Sequence, residues 1–357
     1  MELDSSLSAL ADSVREEGVA PNVALGFAVR SFGGWLLRTG GDDTSLFDLA
    51  SLTKPMFATA CVRAGFAPGE RLSDLLPSTA GSPVAQATVA DLLSHRSGLG
   101  AHVPLYLTCA EDAFQKSWPN QISRGRAIEL AAASVQDLGI DVTPLPALYS
   151  DLGYMLLGEA ISHTRGLRDA GQLIEREIVA RLQLDRDLGS VRSLLAADAN
   201  ASTRFVPTEM VDWRGGKICG AVHDENAWAL TGTGASGHAG MFGTVESVLR
   251  FAVHVIESRQ DYNWLLKTRP GGTLRAGFDG KSEEGSSAGS RMSKTAVGHL
   301  GFTGTSFWID FEQGVVVSLL TNRVNPSRDN QKIKEARPRV HDRLFEIALQ
   351  TARSSFR

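Results

Sequence analysis

Apolar residues recur every three to four positions in several stretches of the chain and alternate with polar residues in others. The first spacing is typical of helices with one buried face, and the second is typical of half-buried strands. Helical spacing predicts helices over residues 3–14, 124–135, 152–165, 168–182 and 331–352. Alternation predicts strands over residues 22–30, 35–38, 299–310 and 314–322. Thr244 caps a further predicted helix, whose apolar residues from 245 to 256 form one continuous stripe.

The predicted strands lie near the two ends of the chain, whereas helices fill its middle. The two ends must therefore meet to form one antiparallel sheet, which the terminal helices cover. This arrangement predicts an α+β fold in which residues 1–67 and 221–357 form a sheet-bearing lobe and residues 68–220 form an inserted, mainly helical lobe. Residues 270–295 are rich in Gly, Ser, Lys and Arg, which predicts a mobile loop.

Composition and charge exclude several functional classes. The 357 residues are 43% hydrophobic and 21% charged, with a formal net charge of −4, which is typical of a globular protein without a basic face for nucleic acid. The N-terminus lacks the basic start and apolar run of a secretory signal, and no segment holds about 18 uninterrupted apolar residues. We therefore expect a cytoplasmic protein that does not enter the membrane. The three cysteines show no C-x-x-C spacing, and we expect neither a metal nor another cofactor.

Candidate chemistry begins at Ser51 and Lys54, which lie three residues apart and are followed by Pro55. Residues at this spacing share one helix face, and proline is tolerated only in a first helical turn, so a helix should begin at about Ser51 or Leu52. Ser51 would then lie at a helix N-terminus, where free N–H groups and the helix dipole favour a developing negative charge. Lys54 could take the hydroxyl proton, which makes the pair an activated nucleophile. The alternative is a capped surface helix with a solvated lysine.

Two further segments can complete such a site. Tyr149 precedes a predicted helix, and a tyrosine hydroxyl beside an ammonium group can lose its proton well below its usual pKa of about 10. The alternative is a half-buried tyrosine with Asp151 as a helix cap. The segment that follows His299 combines a strand edge with glycines such as Gly301, so its backbone can approach a ligand and complete an oxyanion hole with the N–H of Ser51. The alternative for His299 is a strand-end histidine satisfied by its neighbours.

In this order, the S-x-x-K pair, the Y-S-D triplet and the H-L-G triplet resemble the motifs of the serine β-lactamase and penicillin-binding protein superfamily. The likeness is strongest to the branch that contains class C β-lactamases, D-alanyl-D-alanine carboxypeptidases and related esterases, whose middle motif is Y-x-N. It covers nearly the whole chain. Further segments that resemble this branch are residues 92–99, 149–158, 222–227 and 237–242.

The resemblance implies a role for each residue of these motifs. Ser51 would be the nucleophile that is acylated, and Lys54 would be its general base. Tyr149 would share the proton and help to activate the water that deacylates the enzyme. The backbone N–H groups of Ser51 and Phe302 would form the oxyanion hole, in which one donor typically contributes about 2.7–4 kcal/mol of transition-state stabilisation. The residues implied to contact the substrate are Asp151, His299 and Gly301.

The chain departs from this branch at two positions. Asp151 stands where the family has an asparagine, and a carboxylate can accept from Lys54 but cannot donate to a carbonyl unless it is protonated. His299 stands where β-lactamases have a lysine that holds the substrate carboxylate, and a histidine with a reference pKa of about 6.5 is mostly neutral there. Both changes favour an esterase or a D-aminoacyl peptidase over an efficient β-lactamase.

Three functions remain open on the sequence. The first is a serine hydrolase that forms an acyl-enzyme from an ester or an amide and acts at most weakly on β-lactams. The second is an acyltransferase in which a small alcohol or amine replaces water, and the third is a non-catalytic binding module with the same fold. The expected partner is a small molecule or a short peptide, not nucleic acid or a membrane, and the sequence leaves the oligomeric state open.

Overall fold

Strands from both ends of the chain pair in one sheet. The computed structural model describes residues 2–109, 122–136 and 146–354, with side chains from residue 6 onward. The strands of this part of the chain are β1 (Val23–Ser31), β2 (Gly34–Gly41), β3 (Phe47–Asp48), β4 (Leu188–Ser190), β5 (Met210–Val211), β6 (Gly216–Lys217), β7 (Met241–Gly243), β8 (Asp279–Gly280), β9 (Val297–Leu300), β10 (Ser306–Asp310) and β11 (Val315–Thr321).

The largest sheet among the described residues has the strand order β2-β1-β11-β10-β9-β8 and is antiparallel throughout. β1 and β2 form the predicted hairpin. β11, from the other end of the chain, pairs with β1 so that Val23 lies opposite Thr321. The prediction that the two ends of the chain meet in one antiparallel sheet is therefore confirmed. Two smaller sheets have the orders β3-β7-β4 and β5-β6.

Helices cover both faces of the large sheet and fill the middle of the chain. Those of the described residues are α1 (Glu2–Glu16), α2 (Thr53–Arg63), α3 (Leu72–Leu75), α4 (Val89–Leu93), α5 (Leu105–Thr108), α6 (Arg124–Ala133), α7 (Asp151–Arg165), α8 (Ala170–Ile174), α9 (Ala180–Leu182), α10 (Val191–Ala197), α11 (Glu225–Thr231), α12 (Val245–Glu257), α13 (Asn263–Leu266) and α14 (Ile333–Ser354). α12 begins as predicted, since the Thr244 hydroxyl accepts from the Ser247 N–H. The α+β fold class is confirmed.

β1 separates two layers of the core because its residues alternate between the two faces of the sheet. The larger residues Val23, Leu25 and Phe27 pack with α1 and α14. On the opposite face, the smaller Ala24 and Ala28 pack with the apolar stripe of α12. This second core continues into α2 and α7. The helix that follows the candidate nucleophile is therefore anchored in the centre of the molecule.

The prediction of one strand over residues 299–310 is wrong. The chain reverses between β9 and β10, which pair with each other. Two threonines of this turn bond to a distant segment: Thr303 Oγ1 donates to Asp48 O at 2.7 Å, and Thr305 Oγ1 donates to Leu49 O at 3.1 Å. Because these contacts join residues more than 250 positions apart, local alternation cannot predict the turn.

Residues 270–295 contain little regular structure, yet they are anchored in the protein. Ala276, Phe278, Ala288 and Met292 are buried, although a mobile loop was expected here. The predicted boundaries of the two lobes stay a prediction, and residues 110–121 and 137–145 of the expected helical lobe lie outside the described residues. Within the described ranges, every helix is too short or too polar to cross a bilayer.

Candidate active site

The chain bends sharply where β3 leads into α2. After Asp48, a single 3-10 turn over Ala50–Leu52 precedes α2, which holds Pro55 in its first turn. Ala50 has a φ of +47°, a left-handed conformation that non-glycine residues rarely adopt. The Asp48 carboxylate holds this conformation by accepting from the Ala50 N–H at 2.8 Å. Ser51 therefore lies just ahead of a helix start, as Pro55 predicts.

Lys54 is fully buried and donates to three oxygen atoms. Its Nζ lies 2.9 Å from Ser51 Oγ, 2.6 Å from Asp151 Oδ1 and 3.3 Å from His238 O. Nζ also lies 4.8 Å from the centroid of the Tyr149 ring. The structure thus brings together four residues that the sequence assigned to one site, although Tyr149 and Asp151 are almost a hundred positions from Lys54.

The Lys54–Asp151 contact fixes the charge of both groups. Burial alone would lower the pKa of Lys54, but the Asp151 carboxylate and Tyr149, through their charges and hydrogen bonds, together hold this pKa above its ordinary value. Burial likewise works to raise the pKa of Asp151, but the charges of Lys54 and His238 and the hydrogen bond from Lys54 together hold this pKa below its ordinary value. At neutral pH, Lys54 is therefore an ammonium that donates to Ser51. Asp151 is the counter-charge of Lys54, in line with the expectation that its carboxylate can accept from Lys54, and its contact with a substrate stays a prediction.

The pKa of Tyr149 lies above its ordinary value, so the neutral hydroxyl is favoured over the phenolate that a nearby ammonium can produce. Burial raises the pKa of Tyr149 and outweighs the opposing effects of the Lys54 charge and of hydrogen bonds with Lys54 and Ser51. The Tyr149 ring stacks on His95, with centroids 4.6 Å apart. His95 Nδ1 accepts from the Ser150 N–H at 3.0 Å, and burial together with the Lys54 charge lowers the pKa of His95 to about 3. A neutral His95 therefore supports the segment that carries Tyr149.

The turn of residues 301–305 forms another wall of the site. Gly301 is required there, because a Cβ at this position would lie 2.0 Å from Thr305 Oγ1. Gly301 therefore allows the Thr305 side chain to approach the backbone, where the sequence had indicated a close approach to a ligand. The threonine bonds described above hold the turn against the segment that precedes Ser51. Ser51 and Phe302, whose N–H groups are the predicted oxyanion donors, consequently line the same pocket.

His299 packs against Tyr149, with ring centroids 6.1 Å apart. The residue is 4% exposed and does not line the pocket, in contrast to Leu300 and Gly301. His299 Nδ1 donates to Leu300 O at 2.9 Å, and burial together with the Lys54 charge lowers the pKa of His299 to about 3. The ring is therefore neutral, as expected from the sequence. Its contact with a substrate stays a prediction.

The site opens into a pocket of about 590 Å³. Beside the predicted site residues, it is lined by polar side chains that the sequence did not assign to a substrate: His102, His223, Asp224, Glu225, Arg323, Arg328, Gln331, Lys334 and Arg337. Asp224 Oδ1 lies 2.9 Å from His238 Nε2, and Glu225 pairs with Arg328 at 2.7 Å. In the described part of the chain, no group of three or more His, Cys, Asp and Glu residues could hold a metal ion.

One of the missed residues leaves a signal in the sequence. Arg337 lies on the apolar face of α14, four residues after Ile333 and three before Val340. Both neighbours are buried, and a charged side chain at this position interrupts the apolar stripe. A charged residue on the apolar face of a predicted helix is therefore a sequence signal for Arg337, which belongs to none of the motifs.

Comparison with solved structures places this architecture among known folds. A class C beta lactamase from Rhodobacter sphaeroides superimposes with a TM-score of 0.66 at 16% identity, over 96% of this chain and 99% of that chain. The D-amino acid amidase from Ochrobactrum anthropi SV3, complexed with D-phenylalanine, gives a TM-score of 0.66 at 20% identity, over 98% of this chain and 100% of that chain. At these identities the likeness shows the fold.

Sequence comparison adds relatives that match most of the chain. N-acetylmuramyl-L-alanine amidase of Bacillus subtilis (strain 168) is 26% identical over 344 residues, covering 87% of this chain and 76% of that protein. A putative D-alanyl-D-alanine carboxypeptidase of Escherichia coli (strain K12) is 25% identical over 327 residues, covering 81% and 71%. The beta-lactamase family profile matches residues 13–341. Since that match spans almost the whole chain, the protein belongs to the beta-lactamase family, a family of hydrolases.

Proposed function

We propose that the protein is a serine hydrolase that cleaves an amide or an ester through an acyl-enzyme on Ser51. The observation that carries this proposal is the 2.9 Å contact between Lys54 Nζ and Ser51 Oγ beside an open pocket. A serine hydroxyl needs a proton partner and access to the substrate before it can act as a nucleophile. Both requirements are met at this position.

Acylation begins when Ser51 Oγ attacks the carbonyl carbon of the substrate and a new C–O bond forms. The N–H groups of Ser51 and Phe302 stabilise the oxyanion, and the bond from the carbonyl carbon to the leaving nitrogen or oxygen then breaks. Because Lys54 starts as an ammonium, it gives one proton to the leaving group, with Tyr149 as the bridge, and takes the Ser51 proton in exchange. Lys54 is therefore an ammonium both before and after the step.

Deacylation uses water as the second nucleophile. Water attacks the acyl carbonyl while its proton passes through Tyr149 and Lys54 towards Ser51 Oγ. The ester bond to Ser51 breaks, a carboxylic acid is released, and the free serine hydroxyl is restored. Asp151 keeps its negative charge throughout and holds the Lys54 ammonium beside Ser51 during both steps.

Two observations support an amide of a small molecule or short peptide as the substrate, and a third disfavours β-lactams. The matched relatives are named an amidase and a putative carboxypeptidase, and both names describe cleavage of an amide bond. A pocket of about 590 Å³ is of the size that binds ligands of this kind. The neutral His299 does not supply the fixed positive charge of the lysine found in β-lactamases, so we expect slow turnover of β-lactams.

A paired rate comparison tests this function. Wild type and Ser51→Ala are assayed with short-chain p-nitrophenyl esters, an amino-acid p-nitroanilide and nitrocefin. We expect wild type to turn over the ester and the anilide faster than nitrocefin, and Ser51→Ala to lose at least about 10³-fold in kcat. Ser8→Ala, an exposed serine on α1, serves as the matched control and should retain wild-type rates. Equal rates in Ser51→Ala, or faster nitrocefin turnover, would contradict the proposal.

A further inference from the structure

Arg337 is a buried cation whose partners are carbonyl oxygens. The residue is 8% exposed, and its Nη2 donates to Gly301 O at 2.8 Å and to Thr305 O at 3.0 Å. Among the residues that the structure describes, no carboxylate lies within ion-pair distance of Arg337, whereas Lys54 has one and Arg328 has two. A buried charge without a counter-charge lowers stability, so its presence calls for a functional explanation.

The Gly301 carbonyl, one of the two that Arg337 contacts, belongs to the same peptide unit as the N–H of Phe302. This peptide bond is trans, since the cis bond of the described chain is Asn325–Pro326. In a trans peptide the N–H points away from the carbonyl oxygen. The guanidinium therefore bonds to one end of a peptide dipole whose other end is the oxyanion donor proposed above.

We propose that Arg337 is a positioning residue that strengthens the Phe302 N–H as an oxyanion donor through the Gly301–Phe302 peptide. The proposal rests on the acyl-enzyme function proposed above. A cation on an amide carbonyl draws electron density from the amide nitrogen, and linked hydrogen bonds strengthen one another by about 10–30% per bond. Because the N–H is most useful when the oxyanion forms, the effect falls on the transition state and not on substrate binding.

Arg323 provides a matched control within the same turn. It is 6% exposed, lines the same pocket, and donates from Nε to Phe302 O at 2.9 Å. That carbonyl belongs to the peptide unit that carries the N–H of Thr303, which is not a proposed oxyanion donor. Both arginines hold the turn in place, but only Arg337 bonds to the peptide that carries the donor.

The competing role for Arg337 is direct binding of an anionic group of the substrate, since the residue lines the pocket. The two roles differ in which kinetic constant changes. Loss of a direct contact raises KM for substrates that carry a carboxylate and leaves neutral substrates unaffected. Loss of polarisation lowers kcat for neutral and anionic substrates alike.

The test measures the hydrogen bond to the acyl carbonyl directly. Wild type, Arg337→Gln, Arg337→Lys and Arg323→Gln are acylated with a p-nitrophenyl ester that carries a ¹³C-labelled carbonyl. Rapid-mixing difference infrared spectroscopy then records the carbonyl stretch of the acyl-enzyme, which moves to higher wavenumber as the oxyanion donors weaken. Steady-state kinetics with a neutral and a carboxylate-bearing ester run in parallel.

We expect Arg337→Gln to move the carbonyl stretch to higher wavenumber and to lower kcat about 10-fold, less than the about 10²–10³-fold for removing an oxyanion donor outright, with KM unchanged. Arg337→Lys keeps the charge and should shift the stretch less, and it carries the test if Arg337→Gln does not fold. Arg323→Gln should leave the stretch at its wild-type position.

Two results would overturn the inference. An unshifted carbonyl stretch in both Arg337 variants shows that the residue does not act on the donor. A rise in KM confined to the carboxylate-bearing ester, with kcat unchanged, assigns Arg337 to direct anion binding instead. If wild type forms no acyl-enzyme at all, the proposed function itself fails, which is a separate and earlier outcome of the same experiment.

Discussion

Lys54 and Arg337 are both buried cations of the candidate site, yet their surroundings differ. Lys54 lies 2.6 Å from the carboxylate of Asp151 and donates to the nucleophile. Arg337 donates to two carbonyl oxygens of the turn that carries Phe302, and the described residues place no carboxylate beside it. One half of the site therefore holds a neutralised pair, and the other holds an uncompensated positive charge.

The difference follows from what each half of the site must do. A group that exchanges protons with Ser51 needs a defined protonation state, and the Asp151 carboxylate supplies one by holding the Lys54 ammonium. A wall that stabilises an oxyanion benefits from positive potential that no nearby carboxylate cancels. Burial and the Arg323 charge lower the pKa of Arg337 to about 9, because both disfavour the charged form of the side chain in this arrangement.

The largest expected effect comes from breaking the neutralised pair. Lys54→Met leaves the Asp151 carboxylate, whose side chain is 23% exposed, without the ammonium that it pairs with. We expect the free energy of unfolding to fall by about 3 kcal/mol and acylation to become undetectable. Urea denaturation followed by circular dichroism measures the first effect, and ester turnover measures the second.

The double variant Lys54→Met/Asp151→Asn is the matched control for this change. Because it removes both charges, it should recover most of the lost stability while acylation stays undetectable. If Lys54→Met were as stable as wild type, the pair would not be the stabilising feature that the geometry indicates.

A smaller effect is expected when only the counter-charge is removed. Asp151→Asn introduces the residue that the Y-x-N motif has at this position and removes the carboxylate that raises the pKa of Lys54. The pKa of Lys54 then falls, and because the proposed acylation starts from the ammonium, the alkaline limb of the kcat/KM profile should move to lower pH, with about 10-fold in rate on that limb for each pH unit of the shift. An unchanged pH profile would show that Lys54 is not the group that titrates in acylation.

The smallest expected effect concerns His299. Its pKa of about 3 keeps it neutral throughout the range from pH 6 to 8, so its titration cannot reduce activity as the pH rises. We expect kcat/KM for a neutral ester not to fall between pH 6 and 8, and His299→Gln to show the same profile shape. A decline through this range that disappears in His299→Gln would mean that an imidazolium is required.

Local sequence signals predicted much of the half of the site that holds Ser51, Lys54 and Tyr149. Pro55 placed the helix start, and the motifs around Ser51 and Tyr149 identified residues that the structure brings to one site. The charge state of the pair was less predictable. It depends on a contact between Lys54 and Asp151, whose 2.6 Å distance exists only after α2 and α7 have packed.

The other half of the site, which consists of the turn of residues 301–305 and Arg337, was predicted less well. The glycines after His299 indicated a close backbone approach, but the break of the strand there depends on threonine hydroxyls that bond to Asp48 and Leu49. Arg337 comes from the last helix of the chain and reaches the turn through tertiary packing alone. Contacts of such long range leave no motif in the sequence, apart from the charge that interrupts the apolar face of α14, and they are the ones that shape this wall of the site.

The central claim is that Ser51 becomes covalently acylated. Its most direct test is intact-protein mass spectrometry of folded wild type and Ser51→Ala after incubation with an alkyl fluorophosphonate. We predict one adduct per wild-type chain, mapped to Ser51 by peptide analysis, and an unmodified Ser51→Ala protein. An unmodified wild type, or equal labelling of the two proteins, would contradict the account.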